Sequence, residues 1–125
     1  MQSGYKRKAR VVFVASGSLR RAQAAADAAL ASGWLEARAC CLPPMMGAQG
    51  AAAQEPGWDW PDLVVALDEP ARRQVPALPP HVQVRCYEFA EPAREADWPA
   101  LQNALWERVW GMAAGLAMMQ RAARE

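Results

Sequence analysis

The chain has 125 residues, 53% hydrophobic and 22% charged, which suits one compact domain over residues 1–125 and leaves little room for a second. Its formal net charge of +1 supplies no field for drawing in nucleic acid or an acidic membrane surface, so neither is an expected partner. Three cysteines, with Cys40 and Cys41 adjacent, do not make the even, spaced framework of a secreted disulfide protein. No secretory leader is expected ahead of the first strand, and the longest strongly apolar run, Val109 to Met119, falls short of the ~18 residues of a membrane span. The expectation is a soluble protein in a reducing cytoplasm.

In chain order, residues 1–9 read as a flexible basic lead, and Lys6, Arg7, Lys8 and Arg10 as the charges of a solvated tail in preference to a contact with nucleic acid or an acidic partner. Arg10 to Ala15 (RVVFVA) is a β-branched and aromatic run without alternation, the pattern of a parallel strand buried on both faces. Ser16-Gly17-Ser18 breaks it, and an alanine-rich helix is expected over Leu19 to Ser32, ended by Gly33. Leu35 to Cys41 is a weaker strand, leading into an irregular connection with Pro43, Pro44, Gly47, Gly50 and Gly57. Pro61 to Asp68 (PDLVVALD) repeats the buried-strand signature; a short helix over Glu69 to Val75 follows, then a strand over Gln83 to Phe89. Trp98, Leu101, Leu105, Val109, Met112, Leu116 and Met119 recur at spacings of three and four, the stripe of a helix with one face buried. Its second half, VWGMAAGLAMM, is apolar nearly all round and suggests cover on more than one face. Strands alternating with helices predict a three-layer α/β/α domain with a four-stranded parallel sheet, in which ligands bind at the carboxyl ends of the strands.

That rule directs attention to Ala15-Ser16-Gly17-Ser18-Leu19-Arg20-Arg21, where a strand turns into a helix through small residues and ends in arginine. Such a loop can aim backbone N–H groups and a helix dipole at one anion. By pattern alone the signal is weak, since many α/β proteins carry a glycine at this turn.

VVFVASGSLRRAQAAADAAL resembles the opening of the low-molecular-weight protein tyrosine phosphatases, in which a strand ends in C-x-G-N-x-x-R-[ST] and runs into a helix. On that pattern Gly17 matches the glycine and Arg21 the phosphate-binding arginine, while Ala15 stands at the nucleophile, Ser18 at the asparagine, Arg20 at a second cysteine and Ala22 at the hydroxyl residue. PDLVVALDEPARRQVPALP is similar to the family's later strand and helix, and YEFAEPA to the segment that carries the general acid, where this chain has Glu91-Pro92. The resemblance runs from about Arg10 to Met119 and implies a phosphatase-like fold. Pro43 to Trp60 departs from it, being shorter than the family's corresponding region.

The family's reaction needs a thiolate at the loop, and a methyl group at Ala15 cannot attack phosphorus. Ser16 has no histidine nearby in sequence to serve as its base, and Glu91 without a phosphoenzyme has no acid role, leaving it a solvated turn residue. Related arsenate reductases use two further cysteines, and those positions read Asp68 and Val75. The resemblance therefore implies a pseudo-phosphatase: catalytic residues none, with Ser16, Gly17, Ser18, Leu19, Arg20 and Arg21 as anion-binding candidates for a phosphate- or sulfate-like group. A phosphatase-like enzyme with an altered nucleophile remains the alternative.

Six tryptophans are many for this length. Core packing is the first explanation; a surface for a protein partner or a homo-oligomer is the second, with Trp58, Trp60, Trp106 and Trp110 as candidates. A further alternative is a subunit or assembly factor of a larger complex, using the tryptophans and the apolar last helix. Cys40 and Cys41 with Met45, Met46 and His81 offer soft ligands, but strand neighbours point to opposite faces, so no metal and no cofactor is expected. Cys40, Cys41 and Cys86 are read as buried structural residues.

Overall fold

In the computed structural model, which describes residues 8–42 and 57–124 with side chains through 118, the centre is strand β1 (Ala9–Ser16). Val11, Val12, Phe13 and Val14 are wholly buried, as the unbroken apolar run requires of a strand covered on both faces. Around it lie β2 (Leu35–Leu42), β3 (Leu63–Ala66) and β4 (Gln83–Cys86) in the order β2-β1-β3-β4, every pairing parallel. The protein is thus an α/β fold with a four-stranded parallel sheet.

Helices cover both faces. Val11, Phe13 and Ala15 join Leu63, Val65 and Leu67 under α1 (Arg20–Ser32) and α3 (Trp98–Arg124). Val12, Val14, Val64 and Ala66 face the other way, toward Cys40, Val82 and Ala71 of α2 (Glu69–Gln74). Helix α1 buries Ala22, Ala25, Ala26, Ala28 and Ala29, whose small side chains let it lie close against both the sheet and α3. On α3 the stripe lands as its spacing predicts: Trp98, Leu105, Val109 and Met112 are buried, and Leu101 and Leu116 pack at the margin. Each large stripe residue contributes about 1.5–3 kcal/mol by leaving water.

Several boundaries move. Ala9 is buried as the first residue of β1, so the lead ends earlier than expected; residues 1–7 lie outside the described residues. Helix α1 begins at Arg20, one residue late, and closes on Gly33, whose φ of 78° is the left-handed turn that glycine takes without strain. Strand β3 is shorter than the apolar run because Asp68 turns outward to cap α2, accepting a hydrogen bond from the Ala71 amide at 2.7 Å. Strand β4 stops at Cys86, although Tyr87 and Phe89 still donate to the Ala66 and Leu67 carbonyls and keep that chain beside β3. The apolar half of α3 is not covered all round: Val109, Met112 and Ala113 are buried, whereas Trp110 and Met118 are exposed. Cys40 is buried as expected, but Cys41 and Cys86 are only half-buried. Met45, Met46 and most of the irregular connection fall outside the described residues, as does the side chain of Met119. Among the described residues no helix is long and apolar enough to cross a membrane.

Candidate functional site

The order β2-β1-β3-β4 places a switch point between β1 and β3, where connections leave in opposite directions and ligands of open α/β sheets bind. Three chain segments meet there: the turn after β1, the end of β3 and the coil after β4. Arg21, in the first turn of α1, joins them. Its side chain is 5% exposed, and a guanidinium so buried requires acceptors on several sides.

It has them. Nη1 donates to the Phe89 carbonyl at 2.7 Å, and Nη2 donates to the Ser16 carbonyl at 3.0 Å and to Asp68 Oδ2 at 2.8 Å. Nε lies 2.9 Å from Glu91 Oε1, an ion pair without the alignment of a hydrogen bond, so this buried nitrogen has no hydrogen-bond partner. One guanidinium thus faces two carboxylates.

Asp68 is the better held of the two. The Ser16 amide donates to Oδ2 at 2.9 Å across the switch point, while the Ala71 amide takes Oδ1. Burial alone would push this carboxyl up; the Ser16 and Ala71 amides, the Ser16 hydroxyl and Arg21 together bring it below its ordinary value. Sequence reasoning used Asp68 only to register a missing cysteine. The available signal was Asp-Glu-Pro after a buried strand, which marks a helix N-cap at the carboxyl edge of the sheet.

The other loop residues divide. Gly17 adopts φ 82°, and its amide donates to the Leu42 carbonyl at 2.9 Å, tying the turn to the end of β2. The Ser16 and Gly17 amides are therefore engaged inside the fold. The Ser18 hydroxyl accepts from the Arg20 amide at 3.2 Å, and Leu19, exposed, is the N-cap residue of α1. Among the described residues nothing accepts from the Ser18 and Leu19 amides. Arg20 turns outward, making a bidentate pair with Glu95 at 2.9 and 2.7 Å and stacking over Trp98 at 3.9 Å, which fastens the start of α1 to the start of α3.

Ala15 is fully buried in the layer beneath α1 and α3. Its register partner is Cys41, and partners in register present side chains to the same face, so a thiol stands one strand away. Burial pushes the Cys41 thiol up, against the pull of Arg21, and Asp68 and Glu91 push it further. It is held as the thiol and is no ready nucleophile.

Beside the site, Leu67, Asp68, Glu69, Glu88, Phe89 and Ala90 line an open cleft of about 330 Å³. Glu69, Cys86 and Glu88 bring their ligand atoms within 4.8 Å of one another. Burial first, then Glu69 and Glu88, push the Cys86 thiol up, while Arg72 and Arg73 each lie 3.5 Å from Glu69. Glu69 is thus already shared between two arginines, which compete with a cation for its oxygens.

The tryptophans do not gather in one place. Trp58 and Trp60 are half-buried against the α2-side core, with Arg38 at 3.9 Å and Arg10 at 5.5 Å over the Trp60 ring. Trp106 and Trp110 stack at 5.8 Å on the flank of α3, about 40% exposed, and Trp110 Nε1 donates to the Ala28 carbonyl at 3.0 Å.

No family model matches the chain, and no curated protein matches it.

Proposed function

We propose that this chain is a non-catalytic, phosphatase-like module that binds an oxyanion at the turn after β1. The observation that carries the reading is Arg21: a guanidinium 5% exposed, at the carboxyl ends of β1 and β3, next to a strand end that offers a methyl group at Ala15. The parallel sheet with helices on both faces is compatible with the phosphatase-like resemblance of the sequence. Chemistry by Ser16 is disfavoured because Asp68, the carboxylate its hydroxyl meets, has its pKa lowered and is a weak base. Cys41 is disfavoured because its thiol is pushed up.

Two measurements test this. An aryl phosphate assay of the purified chain should show no turnover above that of the Ser16→Ala and Glu91→Gln variants; turnover abolished by either substitution would establish an altered enzyme. Calorimetry with phosphate, sulfate and arsenate should detect binding, and silence at millimolar concentrations would remove the oxyanion reading.

A second reading rests on a separate observation, the exposed Trp106–Trp110 stack. Tryptophan on an open helix flank suits a protein partner or a second copy of the chain. Sedimentation of the chain alone separates these: self-association abolished by Trp106→Ala would point to the second copy.

A further inference from the structure

We propose that Glu91 is a displaceable internal stand-in for the oxyanion, closing Arg21 until a phosphoryl- or sulfuryl-type group takes its place. This deepens the oxyanion reading given above and rests on it.

The two carboxylates on Arg21 are held very differently. Asp68 is 16% exposed, accepts from two backbone amides and from Nη2, and also meets the Ser16 hydroxyl. Glu91 is 42% exposed, and its contact with Nε lacks hydrogen-bond alignment. Buried Nε–H groups ordinarily find an aligned acceptor, because leaving a charged donor unmade is costly. That nitrogen is itself buried, so a tetrahedral oxyanion reaches it and aligns with it only where the Glu91 carboxylate has moved aside.

The backbone permits the exchange. Phe89 is fixed through its amide on Leu67 and its carbonyl on Arg21, and Glu95 is fixed by Arg20. Between these anchors, residues 90–94 form no helix or strand, so Glu91 stands on a short span tied at both ends. It can swing outward without disturbing the sheet. Charge requires the swing: with Asp68 and Glu91 both on Arg21 the centre carries a net negative charge, and a multivalent anion enters only if one carboxylate leaves.

The test is calorimetric and NMR titration with inorganic phosphate and with sulfate at fixed ionic strength, on the wild-type chain, Glu91→Gln and Glu107→Gln. Glu107, exposed on α3, carries an equal charge but neither pairs with Arg21 nor holds the span of Glu91. Glu91→Gln should bind about tenfold more tightly than wild type, with the Arg21 side-chain and Leu19 amide signals moving, while Glu107→Gln should change affinity by less than about threefold. Equal gains in both variants, or equal affinity of Glu91→Gln and wild type, would overturn the stand-in role while leaving the oxyanion site in place. Binding by none of the three proteins would remove the oxyanion reading and this inference with it.

Discussion

Arg21 and Asp68, 47 residues apart in sequence, meet at 2.8 Å across the switch point between β1 and β3, and each supplies what the other's burial demands. Asp68 also accepts the Ser16 and Ala71 amides, so one carboxylate serves an ion pair, a strand end and a helix cap. Asp68→Ala should therefore destabilise strongly, by about 3–5 kcal/mol, the usual cost of removing one partner of a buried pair. Asp68→Asn keeps an oxygen for the Ala71 amide and should cost clearly less. Urea unfolding midpoints measure both, and a loss below about 1 kcal/mol for the alanine variant would show that Arg21 finds compensation elsewhere.

The same carboxyl sets an acid limit. Its pKa is lowered in the folded protein, so its stabilising contribution is complete above the unfolded-state value, about 4, and is lost as the pH falls through the folded value. Wild type should lose stability more steeply than Asp68→Asn below about pH 5. Glu95, drawn down mainly by its hydrogen bond to Arg20, titrates in the same acid range but is exposed. Salt near 1 M should suppress the Glu95 part and spare the Asp68 part. Parallel slopes for wild type and Asp68→Asn would exclude Asp68 as the source.

Much of the frame was legible because it is local. The unbroken apolar run at Val11–Val14, the three-and-four spacing on α3 and Gly33 after an alanine helix each carry their meaning within a few residues; β1 and α1 form within one residue of their expected bounds, and α3 starts at Trp98, the first residue of its stripe. The site was legible only in part. Asp68 reaches Ser16 and Arg21 through the order of the strands, which no local pattern encodes. Glu91 read alone is a solvated turn residue, yet the chain crossing from β4 back toward α3 sets it on Arg21. Arg20 was grouped with the loop by its neighbours; its bond to Glu95, 75 residues away, takes it out toward α3. Cys41 drew notice as one of a pair and escaped it as the register partner of Ala15.

A thiol placed at the end of β1 tests whether the turn that follows offers an activating field. At Ala15→Cys the new group would be fully buried, with Arg21 already facing two carboxylates and the Ser16 and Gly17 amides engaged. Burial without a free positive field raises a thiol, so the group should titrate above about 8.5 and yield no phosphoenzyme. The pH dependence of alkylation, in a Cys41→Ser, Cys86→Ser background, checks this. A thiol titrating well below that value would show that the amides and Arg21 still act on position 15.

Gly17 offers a backbone test of the same turn. With φ 82° and no heavy atom within 4 Å of an added Cβ, Gly17→Ala meets no clash, only the left-handed strain of an L-residue. The expected loss is about 1–2 kcal/mol in unfolding free energy. A much larger loss would mean that the turn is held more rigidly than its bond to Leu42 implies.

Two turns along α1 from Arg21, Trp110 of α3 makes two contacts that can be separated: its Nε1–H bond to the Ala28 carbonyl and its stack on Trp106. Trp110→Phe removes the bond and keeps an aromatic ring, so it should cost about 1 kcal/mol. Trp106→Ala removes the stack, and a double-mutant cycle with Trp110→Ala should return a coupling of about 0.5–1.5 kcal/mol. Thermal or urea unfolding of the four proteins provides the cycle. Strict additivity would mean that the stack adds nothing to folding, leaving association with another chain as the property in which a pair of exposed indoles earns its place.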